Sequence, residues 1–474
     1  MRIDVRPIMN ILKLKPHSIV KQLVIAGFLI FFAYHLILII SQGDIKTLSF
    51  FALGLLLFIF VWQQWILLYI FIIAYVWFFD YFWYTEKPLL YIGVNVYLCD
   101  VFILLFAGST IILAMRRGGH PGFRSSLGKA IALFIAWAII CIIRGIPVWG
   151  HSAIGESRFV IWTWVYFPVV YTIKNMYQFK KFLNIFLFVV ISYLTYLFSW
   201  RFFIQFQGDL GEMLRSRLMG ADLALLVVSI FVFCLIFLLS GTAKKHRVSL
   251  ILFTFFCAVL IPFGARTGWI AWSISTVFVV FILLRERGLK AYLPFLIFST
   301  ALLILFWYLG LFTTGGRLDP DADQGLIFLT EQGQQKGTAG WRLMGWSRII
   351  EQSLRESFIF GQGFGEYYDI FYFYEKGVPP HNDWLIIFSK MGLIGLIMFV
   401  IILIQFYKTG FNYIKQTNDK KSQAYMKGLL VVFLTGLVGG TFFFFFPFTW
   451  LAAGLQTALL NISREVPSTK VSLI

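Results

Sequence analysis

One histidine, His381, stands where its side chain can act as a general base. It lies in the segment Pro379-Pro380-His381-Asn382-Asp383, directly before an apolar run that begins at residue 384. Either Asn382 or Asp383 can cap a helix that begins there. The positive end of the helix dipole then disfavours a charged imidazolium and leaves the neutral imidazole that a base requires. A merely structural polar residue in the turn before a helix would fit the same pattern.

Arginines are the second group of residues whose type suits a role in a reaction. Guanidinium groups present a planar fork that matches phosphate oxygens, whereas lysine suffices for lipid headgroups. Snorkelling to the membrane surface explains any single arginine, but a large set on one side indicates an anionic ligand. The topology derived below places ten arginines on the outer side of a membrane: Arg144, Arg158, Arg201, Arg215, Arg217, Arg266, Arg317, Arg342, Arg348 and Arg355.

One base and a group of arginines would serve the transfer of a sugar from a lipid diphosphate. The acceptor hydroxyl must lose its proton as it attacks, whereas the diphosphate leaves as a stable anion without a protonating acid. The acidic residues of the outer segments show no metal-ligand spacing, and the four cysteines indicate neither a zinc site nor a disulfide framework. We therefore predict neither a metal nor another cofactor.

The elements that must position these residues are transmembrane helices. The chain has 474 residues, of which 59% are apolar and 13% are charged, whereas soluble proteins carry about 25% charged residues. We predict an all-α fold, a polytopic integral membrane protein with 12 to 14 transmembrane helices and one large outer loop. The apolar runs lie near 23–41, 48–62, 65–84, 97–115, 128–143, 158–173, 182–203, 221–240, 248–264, 267–284, 291–312, 384–407, 427–446 and 448–462.

The basic residues predict how these helices are oriented. In a soluble protein the net charge of +18 would suggest nucleic acid as a partner. In a membrane protein an excess of lysine and arginine marks the loops that stay in the cytoplasm. Lysine and arginine are concentrated in alternate loops when both termini are placed in the cytoplasm. We therefore predict a multi-pass protein that is surrounded by membrane lipids, has cytoplasmic termini and binds no nucleic acid.

This topology divides the chain into residues 1–312 with helices one to eleven, an outer loop 313–383, and residues 384–474 with the last three helices and a cytoplasmic tail. Within the loop, 341–356 has the spacing of an amphipathic helix at the membrane interface. Arg342 falls on its apolar side, where an unpaired guanidinium is costly, so we expect it to meet an anion or to snorkel. We interpret the glycines of 361–365 as a hinge or turn, and as the flexible link of a loop that closes like a lid.

Several of these motifs together resemble the O-antigen ligase and polymerase superfamily. Its members are polytopic bacterial glycosyltransferases that use polyprenyl-diphosphate-linked glycans. The resemblance extends over about residues 210–400, and two positions depart from it: Lys390 replaces a frequent acidic residue, and 220–223 lacks an expected Asn. The matching motifs are Arg217-Leu218-Met219-Gly220, Arg266-Thr267-Gly268, Arg342 with Trp346, the glycines of 361–365, and His381-Asn382 followed by Gly392 and Gly395.

The resemblance implies an inverting, metal-independent transfer at the outer face of the bacterial cytoplasmic membrane. His381 would be the base, with Asn382 as a helper or helix cap. Arg217 and Arg266 would hold the diphosphate, assisted by Arg342 and Arg158. The donor would be an undecaprenyl-diphosphate-linked glycan, and the acceptor a hydroxyl of lipid A core, of a growing glycan or of a protein. A ligase, an O-antigen or exopolysaccharide polymerase and a protein O-oligosaccharyltransferase therefore all remain open.

A protein of another class, a lipid-linked oligosaccharide flippase or transporter, fits the same length and number of helices. Transporters place ionisable groups near the membrane midplane and often contain paired broken helices. Here the charges within apolar runs lie mostly toward the outer ends, no chain of polar groups leads inward, and the halves show no repeat. These observations favour the transferase over the transporter and over a non-enzymatic partner in polysaccharide assembly.

Overall fold

A computed structural model describes most of the chain between residues 90 and 465. All described residues lie in the second of two compact units, Leu68–Ile474. They are 90–91, 95–96, 98–116, 119, 121–156, 158–200, 203, 207–208, 221–242, 247–261, 266–287, 338–365, 371–372, 375–376, 382–442 and 448–465.

The described residues are almost all helical. Four strands of two residues each form two antiparallel pairs, β1 (Leu90–Tyr91) with β2 (Asn95–Val96) and β3 (Phe371–Tyr372) with β4 (Glu375–Lys376). One 3₁₀ turn covers Pro121–Arg124. The helices are α1 (Leu98–Arg116), α2 (Ser126–Trp149), α3 (His151–Glu156), α4 (Arg158–Thr163), α5 (Tyr166–Thr172), α6 (Met176–Trp200), α7 (Ala221–Ser240), α8 (Arg247–Leu260), α9 (Arg266–Arg287), α10 (Thr338–Glu356), α11 (Asp383–Gln416), α12 (Lys420–Phe442) and α13 (Phe448–Glu465).

Among the described residues, five helices are long and apolar enough to cross a membrane: α2, α6, α7, α11 and α12. This confirms the prediction of a helical membrane protein. The total of 12 to 14 spans stays a prediction, because the runs 23–41, 48–62, 65–84 and 291–312 lie outside the described residues. The proposed division at residues 312 and 383 also stays a prediction.

One predicted helix is not continuous. The run 158–173 forms two short helices, α4 and α5, which are separated by a turn at Trp164 and Val165. Pro168 accounts for the interruption, because its ring would clash with the carbonyl group of residue 164 in a continuous helix and it lacks the N–H that such a helix needs. In the first turn of α5 the missing N–H costs nothing. The apolar pattern alone did not reveal this break.

Helix α7 lies at the centre of the described bundle. Every side chain from Leu223 to Ile236 is buried except that of Phe233, which is half-buried. This helix packs against α8, α9 and α12, while α12 also contacts α11 and α13. Its sequence is apolar all round, as expected of a helix that other helices surround.

Small and polar residues join the helices. A methyl group at Gly268 of α9 would lie 2.8 Å from Cβ of Ala224 in α7, so glycine permits a close approach there. The hydroxyl groups of Ser275 and Thr435 are 2.9 Å apart and link α9 to α12. Gln456 of α13 donates from Nε2 to the carbonyl oxygen of Phe406 in α11 at 2.8 Å. Close approach and interhelical hydrogen bonds are the usual means of helix association in membranes.

Candidate active site

The structure describes two of the six predicted site side chains, those of Asn382 and Arg342. His381 and Arg217 lie outside the described residues. Arg158 is the first residue of α4 and Arg266 the first residue of α9, but their side chains also lie outside the described part of the chain. The assembly of His381 with the arginines therefore stays a prediction.

Asn382 caps α11, as one of the two predicted alternatives requires. Its backbone is extended, with φ −153° and ψ 105°, and its Oδ1 accepts a hydrogen bond from the backbone N–H of Leu385 at 3.2 Å. Both Asn382 and Asp383 are buried. The N-terminus of α11, where the helix carries a partial positive charge, thus begins two residues after His381 in the sequence.

The segment 341–356 is helical, as predicted, within α10, which begins three residues earlier, at Thr338. Gly345 and Ile349 are buried and Arg348 is exposed, as are the apolar side chains of Leu343, Ile350 and Leu354. Arg342 is half-buried, and its spacing from Gly345 and Ile349 places it on the inner face. This agrees with its predicted position on the apolar side of the helix.

A break in α11 shapes the outer part of this site. Gly392 interrupts the helix with φ 68° and ψ −168°, a conformation that is essentially restricted to glycine. The N-terminal part of α11, residues 383–391, is therefore a separate short helix with its own C-terminus. Such a break frees backbone N–H and C=O groups that must find other partners within a membrane.

The segment 357–365, which follows α10, satisfies the freed carbonyl groups. The N–H of Gln362 donates to the carbonyl oxygen of Ser389 at 2.8 Å, and that of Gly363 donates to Lys390 at 3.1 Å. Trp137 of α2 donates from Nε1 to the carbonyl oxygen of Met391 at 2.9 Å. All three acceptors lie in the last turn before the break.

The same segment also accepts hydrogen bonds from the residues after the break. The N–H of Leu393 donates to the carbonyl oxygen of Phe358 at 2.9 Å, and that of Ile394 donates to Ile359 at 3.3 Å. Both sides of the break are thus closed by one segment of chain. We call this segment, residues 357–365, the plug.

The predicted flexible link at 361–365 is wrong, because the plug is tightly packed. A methyl group on Gly361 would lie 2.4 Å from the backbone nitrogen of Gly392, and one on Gly365 would lie 2.6 Å from that of Ala153. A methyl group on Gly145 of α2 would meet the carbonyl oxygen of Phe364 at 2.0 Å. These glycines serve close backbone contact. The interpretation of the segment as a turn is correct, since Gly361 has φ 70°.

A buried ion pair fastens the plug to α11 and α3. Nζ of Lys390 lies 3.2 Å from Oε2 of Glu156, the last residue of α3. The side chain of Lys390 is 1% exposed and that of Glu156 is 30% exposed. The same Oε2 accepts a hydrogen bond from the N–H of Gly365 at 2.7 Å. The sequence alone did not reveal this pair, although a lone lysine within an apolar run signals the need for an acidic partner.

Arg144 also holds the plug. It donates from Nη1 to the carbonyl oxygen of Phe360 at 2.9 Å and from Nη2 to that of Gly361 at 3.2 Å. Its guanidinium group lies 5.9 Å from the centroid of the Phe360 ring. Within the set of outer arginines, this one therefore binds backbone carbonyls and stabilises a loop.

No group of three or more His, Cys, Asp or Glu side chains able to hold a metal ion occurs among the described residues. Cys141, Cys234 and Cys257 are buried and free.

Comparison with known proteins identifies one family. No curated protein matches the chain. A family model described as O-antigen ligase matches residues 250–400. This segment begins within α8 and ends within α11, and it contains Arg266, Arg342, His381 and Asn382 together with the plug. The match confirms the resemblance to the O-antigen ligase superfamily.

Proposed function

We propose that this membrane protein transfers a glycan from an undecaprenyl-diphosphate carrier to an acceptor hydroxyl at the outer face of the bacterial cytoplasmic membrane. The match to the O-antigen ligase family over 250–400 carries the proposal, because it supports a membrane glycan transferase of the ligase or polymerase kind. The capped N-terminus of α11 beside His381 supports the role of that residue, since the helix dipole favours a neutral imidazole.

The reaction requires one proton transfer and one displacement. The neutral imidazole of His381 takes the proton of the acceptor hydroxyl while the hydroxyl oxygen attacks the anomeric carbon. The bond from that carbon to the diphosphate oxygen breaks, its electrons leave with the diphosphate, and the anomeric configuration inverts. Arg217 and Arg266 stabilise the charge that develops on the diphosphate, and Arg342 and Arg158 assist.

The family match leaves the acceptor open among three hydroxyls of the same reactivity: lipid A core, a growing glycan and a protein side chain. The first makes the protein an O-antigen ligase, the function we favour. The second makes it a polymerase and the third a protein O-oligosaccharyltransferase. Each acceptor would use the same donor, base and arginines.

Transport is the alternative of another class. Transporters use broken helices whose free ends bind ions or substrates. Helix α11 is broken at Gly392, but the plug and Trp137 occupy the backbone groups on both sides of the break. We therefore interpret the break as a structural support for the N-terminal part of α11.

A reconstitution assay tests the proposal. The purified protein is incubated with an undecaprenyl-diphosphate-linked glycan and, in separate reactions, with lipid A core, a second lipid-linked repeat or a hydroxyl-containing peptide. Mass spectrometry should detect glycan joined to one acceptor class, and none with His381→Ala. The matched control is His151→Ala, because His151 is exposed at the start of α3. Movement of the intact lipid-linked glycan across vesicles without transfer would contradict the proposal.

A further inference from the structure

We propose that Lys390 and Glu156 are positioning residues of the transfer reaction, because their ion pair fixes the orientation of the short helix 383–391, which begins two residues after His381 in the sequence. This inference rests on the proposed function. Glu156 stands two residues before the predicted donor ligand Arg158, whereas Lys390 lies away from the predicted donor-binding arginines in the sequence.

The pair joins three segments through one oxygen atom. Oε2 of Glu156 contacts Nζ of Lys390 at 3.2 Å and accepts the N–H of Gly365 at 2.7 Å. Glu156 belongs to α3, Lys390 to the last turn before the break in α11, and Gly365 to the plug. A shift of any one segment therefore disturbs the contacts of the other two.

Stability alone does not explain a buried ion pair. Burying the ammonium group of Lys390 is costly even though the side chain of Glu156 stays 30% exposed, and well-packed apolar residues of similar volume often stabilise a protein as well or better. Such pairs are best attested where they fix register or orientation. Lys390 is almost fully buried, at 1% side-chain exposure, so methionine of similar length would serve for packing. The charge therefore points to an orienting role.

The break at Gly392 makes orientation a problem for this helix. A continuous helix would inherit its direction from residues 393–416, but the backbone of the short helix 383–391 does not continue into them. Its direction therefore depends on contacts at both ends: Nε1 of Trp384 donates to Oγ1 of Thr441 at 3.0 Å near its start, and Lys390 pairs with Glu156 near its end. From Lys390 to Asn382 the helix spans about 12 Å at 1.5 Å per residue. A rotation of about 5° around the Lys390 end moves the other end by roughly 1 Å.

A displacement of this size is large for catalysis. Misplacement of a reacting group by about 1 Å can cost about 100-fold in rate. The hydrogen bonds from Gln362, Gly363 and Trp137 remain when the ion pair is removed, so the helix stays formed and moves only in part. We expect the turnover number to fall about 10- to 100-fold. In Lys390→Met the donor affinity should change less than about twofold, because the predicted diphosphate ligands Arg217, Arg266 and Arg342 lie on other segments. Glu156→Gln is the less selective test of donor binding, because Glu156 precedes the predicted ligand Arg158 by two residues.

The test measures kcat, KM for the donor and donor binding for Lys390→Met, Glu156→Gln and the double variant. Glu156→Gln keeps an oxygen acceptor for the N–H of Gly365 but removes the charge. The two single changes break the same pair, so the double variant should lose no more turnover than either one. Lys390→Arg keeps the charge and should restore most of the turnover. Glu351→Gln is the matched control, because it breaks the exposed pair of Glu351 with Arg355 in α10.

Hydrogen exchange provides a readout that does not depend on activity. The backbone amides of Gln362, Gly363 and Gly365 should exchange faster in Lys390→Met than in the wild type, and at unchanged rates in Glu351→Gln. Wild-type kcat in both Lys390→Met and Glu156→Gln would overturn the inference. A loss of turnover that is matched by an equal loss of donor binding would also overturn it. A wild type inactive with every acceptor would instead refute the proposed function, and exchange would then decide whether the pair holds the plug.

Discussion

Replacement of Gly392 by alanine should destabilise the protein strongly, because it combines backbone strain with collisions. The added Cβ would lie 2.3 Å from the carbonyl oxygen of Ile359 and 2.4 Å from the nitrogen of Gly361. Both atoms belong to backbone that is hydrogen-bonded in the plug. Neither can move away without breaking contacts across the helix break.

The magnitude follows from two routes of relaxation. If the break persists, alanine at φ 68° and ψ −168° carries about 1–3 kcal/mol of backbone strain in addition to the collisions. If α11 straightens, it loses the hydrogen bonds that Leu393 and Ile394 donate to the plug and the one that Trp137 donates to Met391. Each is worth about 0.5–1.5 kcal/mol, and new helical bonds recover a part. We expect the free energy of unfolding to fall by about 2–4 kcal/mol.

Two glycines separate strain from collision. Gly150 has φ 57° and ψ −128°, but a Cβ there would meet no atom within 4 Å, so Gly150→Ala tests strain alone. Gly108 lies within α1 and also has open space, so Gly108→Ala should be neutral or slightly stabilising. Unfolding by detergent titration in mixed micelles should rank Gly392→Ala as least stable, then Gly150→Ala, then Gly108→Ala. A Gly392→Ala variant as stable as Gly108→Ala would refute the packed plug.

Three further predictions address the arginines, the helix break and a helix cap. Arg217→Lys and Arg266→Lys should each reduce transfer strongly, because lysine keeps the charge but loses the bidentate fork. Near-normal transfer by both variants would mean that the two arginines act only as point charges. Arg116→Lys, at a residue predicted to lie on the inner side, is the control. Trp137→Phe keeps an aromatic ring but removes the indole N–H that donates to the carbonyl group of Met391 at the helix break. Detergent titration should show that the free energy of unfolding falls by about 1–3 kcal/mol. An unchanged titration curve would contradict this role of the indole N–H. Asp419→Ala removes the N-cap of α12 and should cost about 1 kcal/mol. Burial raises the pKa of Asp419, but hydrogen bonds from a serine hydroxyl and two backbone N–H groups lower it overall. The pKa of Asp419 is therefore lower in the folded state than in the unfolded state. The stabilisation by this cap is fully present above the unfolded pKa, about 3.9, and is lost as the pH falls through the folded pKa. An equal loss of stability in Asp419→Ala at pH 7 and at pH 3 would contradict this prediction.

Features that depend on nearby residues were predictable from the sequence. The spacing of Trp346 and Ile349 predicts which face of α10 is turned inward, and the structure places Arg342 on that face as expected. The cap at Asn382 follows from a polar residue that precedes an apolar run. In each case the physical cause lies within a few residues of the feature.

Features that depend on distant residues were not predictable. The plug is held by Arg144 and Lys390, and the helix break beside it by Trp137, all of them distant in the sequence or on another helix. The glycines of 361–365 suit both a hinge and a close backbone contact, and the choice depends on whether another segment packs against them. Gly392 reads as an ordinary glycine in a membrane helix, because such helices tolerate glycine without breaking.

Single-turnover transfer by His381→Ala tests the central claim most directly. The variant is saturated with the lipid-linked glycan, acceptor is added, and donor binding is measured separately on the same preparation. We predict a fall in the transfer rate of about 10²- to 10⁴-fold, the usual contribution of a general base, with donor binding unchanged and with His151→Ala close to wild type. Transfer at the wild-type rate by His381→Ala, with the same preparation binding donor normally, would contradict the account.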